Sequence, residues 1–121
     1  MNSIWTENSN KVSFPKLEKD VKTDVFIVGG GITGILCAYM LKQNGVDCVV
    51  LEADRVCKGV TQNTTAKITS QHGFIYDKIT KKHGVENAQK YLRANENAVK
   101  KYSEMCQEID CNFEIKDNIV Y

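Results

Sequence analysis

Gly29, Gly31, Thr33, Gly34 and Glu52 are the residues of this 121-residue chain whose types and spacing point first to chemistry. The three glycines form G-x-G-x-x-G in Val28-Gly29-Gly30-Gly31-Ile32-Thr33-Gly34, and Glu52 lies 18 residues past the last of them. This pattern suits the binding of a pyrophosphate. Gly29 permits a tight turn from a strand into a helix. Gly31 lets phosphate approach the backbone, and Gly34 lets helix and strand pack closely. The unpaired N–H groups and partial positive charge at the helix start then face the anion, and the Thr33 hydroxyl adds a donor. The Glu52 carboxylate can accept both hydroxyls of an adenosine ribose and repels a 2′-phosphate.

Those residues work only if a parallel βαβ unit holds them. Val25-Phe26-Ile27-Val28 is an apolar run, expected as a central parallel strand covered on both faces. A helix is expected over 32–43, with Gly31, Gly34, Ala38 and Leu41 as its small-residue face toward the sheet. Gly45 is its stop signal. A second strand is expected over 48–52, which places Glu52 at its carboxyl end. Residues 1–22 read as an extended arm, 53–70 as a Thr-, Gly- and Asn-rich loop, and 75–82 as a short helix. Apolar residues at Val85, Ala88, Leu92, Val99, Tyr102, Cys106 and Ile109 step by threes and fours, with Asn95 in the polar slot. They predict a long amphipathic helix over about 85–110, either packed on the domain or forming a coiled-coil seam. Residues 112–116 and 119–121, joined by Asp117-Asn118, read as the start of a β-hairpin. The fold class is α/β.

Composition narrows the field. A net charge of +1, with acids and bases nearly balanced, gives no basic surface for nucleic acid or anionic membrane. The amino terminus lacks the basic start and apolar core of a signal peptide, and the apolar run 25–28 is too short to span a bilayer, so a cytoplasmic location is expected. The five cysteines lack a C-x-x-C spacing and read as reduced, mostly buried thiols, with no metal site. Asn63-Thr64-Thr65 matches a glycosylation acceptor by accident in that setting. His72 has a possible acid–base role, though it reads more simply as structural. His83 reads as a helix-end cation, Lys67 as a solvent-facing lysine or a partner for an anionic ring, and Tyr91 and Tyr102 as packing residues.

The Gly29-Gly30-Gly31 triplet near the amino terminus, with Glu52 ending the second strand, resembles FAD-dependent oxidoreductases. The wider stretch 24–73 is similar to the amine and amino-acid oxidase family that includes glycine oxidase, sarcosine oxidase and D-amino-acid dehydrogenase. Within it, 59–73 resembles a branch often fused to a Rieske iron–sulfur domain. The resemblance implies a partial Rossmann-like FAD-binding domain over 23–121, with Gly29, Gly31, Ile32, Thr33 and Gly34 around the pyrophosphate. It places Glu52 and Ala53 at the adenosine ribose, and Thr61, Asn63, Thr64 and Thr65 along the pyrophosphate, ribityl chain and flavin. The implied reaction in the intact protein is hydride transfer from an amine or amino-acid substrate to the flavin. No catalytic residue is assigned. Family members are commonly about three times this length, so a substrate domain and later flavin contacts are expected to lie outside these residues. Self-association, or pairing with a missing C-terminal segment, follows from the uncovered sheet. Three other readings remain: a silent nucleotide-binding module acting with a partner chain, an NAD-dependent dehydrogenase fragment, and an interaction protein that uses the long helix as a dimer seam.

Overall fold

Val25–Val28 (β1) and Cys48–Leu51 (β2) pair in parallel, with Val25 opposite Cys48 and Val28 opposite Leu51. The helix Ile32–Gln43 (α1) crosses between them and packs on both strands. The structure is a computed structural model, and it describes residues 12–119. Residues 1–11 of the expected arm lie outside the described residues, and 12–22 carry no regular secondary structure. The chain divides after Thr65 into two units.

In the first unit, α1 turns its small-residue face to the sheet. Gly34 is buried, and Gly31, Ala38 and Leu41 are half-buried. The helix ends as Gly45 predicts. The Val46 N–H donates to the Leu41 carbonyl and the Gly45 N–H to the Lys42 carbonyl, each at 3.0 Å. This is the paired bonding that closes a helix through a left-handed residue, and Gly45 has φ +72°. The strand β1 departs from expectation. Val25 and Ile27 are half-buried on the helix side, but Phe26 and Val28 are exposed, Val28 by 88%. An all-apolar strand needs layers on both faces, and α1 covers only one.

The second unit is a helical hairpin. Ile75–His83 (α2) and Val85–Gln107 (α3) meet at Gly84 and pack on each other. Ala88, 7% exposed, is the one buried apolar side chain among the described residues. The covered stripe of α3 runs through Ala88, Tyr91, Asn95, Val99, Tyr102 and Cys106, while Leu92 is exposed. Tyr91 meets Tyr76 edge-to-face, with ring centroids 5.8 Å apart, a favoured aromatic geometry. Desolvation at the packed surface, and secondarily the neighbouring Tyr91, push the Tyr76 hydroxyl above its ordinary pKa. That hydroxyl donates to the Ser70 carbonyl.

The helix α3 ends three residues short of the expected 110. The expected hairpin is not formed among the described residues: 112–119 lack regular structure, and 120–121 lie outside them. Asn112 has φ +51°, which breaks an extended run at its first residue. An isolated two-stranded hairpin has too few partners to hold itself together in water.

Candidate dinucleotide site

The turn from β1 to α1 is built from its backbone upward. The Gly29 N–H donates to the Leu51 carbonyl at 2.7 Å, which carries the parallel ladder one residue beyond β1. Gly29 itself has φ +105°, a conformation that side-chain-bearing residues rarely adopt. Gly34 then lies so close to this turn that a Cβ on it would sit 2.0 Å from the Gly29 carbonyl oxygen. The close packing expected from the third glycine is therefore a backbone-on-backbone contact.

Glu52 closes the turn from the other side. Its Oε2 accepts the Gly30 N–H at 2.8 Å, and its Oε1 accepts the Asp54 N–H at 3.1 Å. The Gly30 bond, and then the Asp54 bond, hold the Glu52 carboxyl below its ordinary pKa, partly offset by desolvation. A carboxylate has about four lone-pair sites, so these backbone donors leave capacity for a hydroxyl donor. The carbonyl of Gly30 is also engaged: the Cys57 N–H donates to it at 2.8 Å. A Cβ on Gly30 would lie 2.9 Å from Val56 Cγ1. The segment after β2 thus clasps the glycine turn.

Helix α1 starts without a side-chain cap of its own, because its N-cap residue is Gly31. The cap comes from 29 residues downstream, where Thr61 Oγ1 accepts the Ile32 N–H at 3.0 Å. Thr61 sits in a short 3₁₀ turn, Val60–Asn63. Helix geometry gives the N–H groups of Thr33 and Gly34 no intrahelical acceptor, and these are the donors an anion meets at a helix start. Replacing Thr61 with alanine should lower the unfolding free energy by about 1 kcal/mol, the usual worth of an N-cap. Thr61→Ser should restore it. Urea unfolding followed by circular dichroism reads both, and equal midpoints for all three chains would show that the hydroxyl does not cap α1.

These groups border one open groove of about 570 Å³, within the size range of small-molecule sites. Of the residues expected at the site, Gly29, Gly31, Ile32, Thr33, Gly34, Glu52, Thr61 and Thr64 line it. Ala53, Asn63 and Thr65 are not in the lining; Asn63 instead donates through Nδ2 to the Gly59 carbonyl at 3.2 Å. The groove also takes in Cys37, Cys57, Lys58 and Val60, which the motif does not mark. Lys58 pairs with Asp54, a helix-like i,i+4 contact visible in the sequence only once the local turn is known. Cys57 has φ +61°, and no sequence signal announces that. Lys67 is exposed, and His72 lies 3.4 Å from the Tyr91 hydroxyl in the second unit. The described residues contain no cluster of metal-ligating side chains.

Strand, glycine turn, helix, parallel strand and a terminal glutamate together define a dinucleotide-binding βαβ unit. A family model described as FAD-dependent oxidoreductase (DAO) matches residues 24–121, and the chain belongs to that FAD-dependent family. The chain is 41% identical over 121 residues to YhfW of Bacillus subtilis (strain 168), a candidate Rieske 2Fe-2S iron–sulfur protein by its name; the match covers 98% of this chain and 24% of that protein. It is 33% identical over 87 residues to gamma-glutamylputrescine oxidoreductase of Escherichia coli (strain K12), covering 71% of this chain and 20% of that one. A shorter match, 46% over 35 residues, reaches tetracenomycin B2 monooxygenase-dioxygenase of Streptomyces olivaceus and covers 29% of this chain and 6% of that protein. The chain thus spans about a quarter or less of the curated relatives it matches. No solved structure gives a significant match. No helix among the described residues is long and apolar enough to cross a membrane.

Proposed function

We propose that the groove bordered by residues 29–34, Glu52 and Thr61 binds FAD, with the pyrophosphate at the start of α1 and the adenosine ribose at Glu52. The observation that carries this is the double grip on Glu52. Two backbone N–H groups fix the carboxylate beside the glycine turn and keep it ionised, which leaves capacity for a hydroxyl of an unphosphorylated ribose. Gly31, whose missing Cβ would otherwise sit 3.3 Å from Thr61 Oγ1, gives the pyrophosphate its approach. The hydroxyls of Thr33 and Thr64 add donors along the same wall. Ala53, Asn63 and Thr65 join only if the loop over 53–70 rearranges around the ligand.

The flavin supplies hydride acceptance, and the protein's share is to hold it and exclude water. In the whole protein we place this unit in an oxidoreductase acting on an amine or amino acid, on the likeness to gamma-glutamylputrescine oxidoreductase. Residues 23–121 then form the N-terminal part of the FAD domain, working in the cytoplasm. The exposed Phe26 and Val28 face is covered by a further segment, a partner chain or a second copy.

The test is the visible absorption spectrum of the purified chain, after FAD is added and the excess removed by desalting. Flavin bands retained at near-equal stoichiometry are expected. A folded chain that retains none, yet is stabilised by NAD, would turn the reading to an NAD-dependent unit.

A further inference from the structure

We propose that Cys106 and Cys111 form a redox-active dithiol that exchanges with low-molecular-weight disulfides. The chain turns back at the end of α3 to bring them together. The helix closes at Gln107, where the Glu108 N–H donates to the Met105 carbonyl at 3.1 Å. The next residues fold over the last turn, so that the Cys111 thiol donates to the Cys106 carbonyl oxygen at 4.0 Å. Asn112, with φ +51°, follows this turn. It is a residue type that visits the left-handed region readily. Four residues separate the cysteines, so little loop entropy is lost when they join.

The two thiols are not equivalent. Cys111 is exposed, and Cys106 is half-buried on the packed stripe of α3. Desolvation, and then the neighbouring Cys111 thiol, push the Cys106 thiol above its ordinary pKa. The negative end of the helix dipole works in the same direction. Cys111 therefore reacts first and Cys106 resolves. The Cys111 thiolate attacks one sulfur of a small disulfide RSSR. A bond forms between Cys111 and that sulfur, the RS–SR bond breaks, and RS⁻ leaves and takes up the proton lost by Cys111. Cys106 then attacks the Cys111 sulfur and expels the second RS⁻, which takes up the Cys106 proton. The two protein thiols are oxidised, and the small disulfide is reduced to two thiols.

The experiment incubates the intact chain with glutathione disulfide, alkylates the remaining thiols and digests with trypsin. Lys101 and Lys116 bound one peptide, 102–116, that holds both cysteines. The expected product is this peptide lighter by two hydrogens, with neither alkyl group nor glutathione. Cys106→Ser should stop at a glutathione adduct on Cys111, and Cys111→Ser should leave Cys106 alkylatable. The second variant changes an exposed position, so it tests the order of attack even if the first fails to fold. Closure should also slow about tenfold in concentrated urea, where the pre-positioning is lost. A stable glutathione adduct in the unaltered chain, or equal closure rates with and without urea, would overturn the proposal.

Discussion

Replacing Gly34 with valine should unfold the β1–α1 unit and abolish flavin retention. The cause is one contact. Even the first carbon of a side chain at this position would lie 2.0 Å from the Gly29 carbonyl oxygen and 3.2 Å from its carbon. Nothing flexible stands there to give way, because the obstacle is the backbone of the glycine turn. Gly29 is itself held by the bond to Leu51. Ordinary overpacking costs about 1–3 kcal/mol, and this clash should exceed that range. A domain's whole stability is roughly 5–15 kcal/mol. With Ala88 the one buried apolar side chain among the described residues, little surplus exists to absorb the loss. Val60→Ala is the matched control. Val60 borders the same groove and is 85% exposed, so little packing is lost with its side chain. Its urea midpoint should stay within about 0.5 kcal/mol of the unaltered chain. Unfolding by circular dichroism and flavin absorbance after desalting read both variants. If Gly34→Val keeps its midpoint, the helix does not sit on the turn as described.

The same contact shows what the sequence can and cannot reveal. Gly34 was legible because glycine spacing after an apolar run encodes backbone approach. The limits of β1 and α1 follow equally from local signals: four apolar residues, then small residues at helical spacing, then Gly45. What depends on neighbours distant in the chain was not legible. Phe26 and Val28 look like Val25 and Ile27 in sequence, yet α1 covers only the second pair. Leu92 fits the helical period as well as Tyr91, but Tyr76 stands opposite Tyr91 and decides which is covered. Thr61 reaches α1 across 29 residues, so no N-cap pattern beside the helix announces it. The segment 112–119 has strand-like composition, and composition does not supply the neighbouring strand a hairpin needs.

Glu52 should show two linked effects, one on cofactor affinity and one on the pH dependence of stability. Glu52→Ala removes the acceptors for the Gly30 and Asp54 N–H groups, together with the capacity left for a ribose hydroxyl. Hydrogen bonds to a charged group are the stronger kind, and losing one to the ligand should weaken FAD binding on the order of 100-fold. Titration of flavin fluorescence against protein concentration measures this. The pH effect follows from the direction of the carboxyl's shift. Folding lowers the Glu52 pKa below its ordinary 4.5, because the Gly30 and Asp54 N–H groups favour the ionised form. Above the unfolded value the carboxylate is charged in both states, and its stabilisation is complete. As pH falls toward the folded value, the unfolded chain takes up the proton first, and the stabilisation drains away. Below both values it is gone. The urea midpoint of the unaltered chain should therefore fall more steeply below about pH 4.5 than that of Glu52→Gln, which cannot titrate. Carboxylates away from Glu52 and its neighbour Asp54 contribute equally to both chains and cancel in the comparison. Parallel pH profiles would mean that the two N–H groups do not hold the charge. A weak FAD response with divergent profiles would separate the grip on Glu52, which the free chain already shows, from its use in binding a ribose.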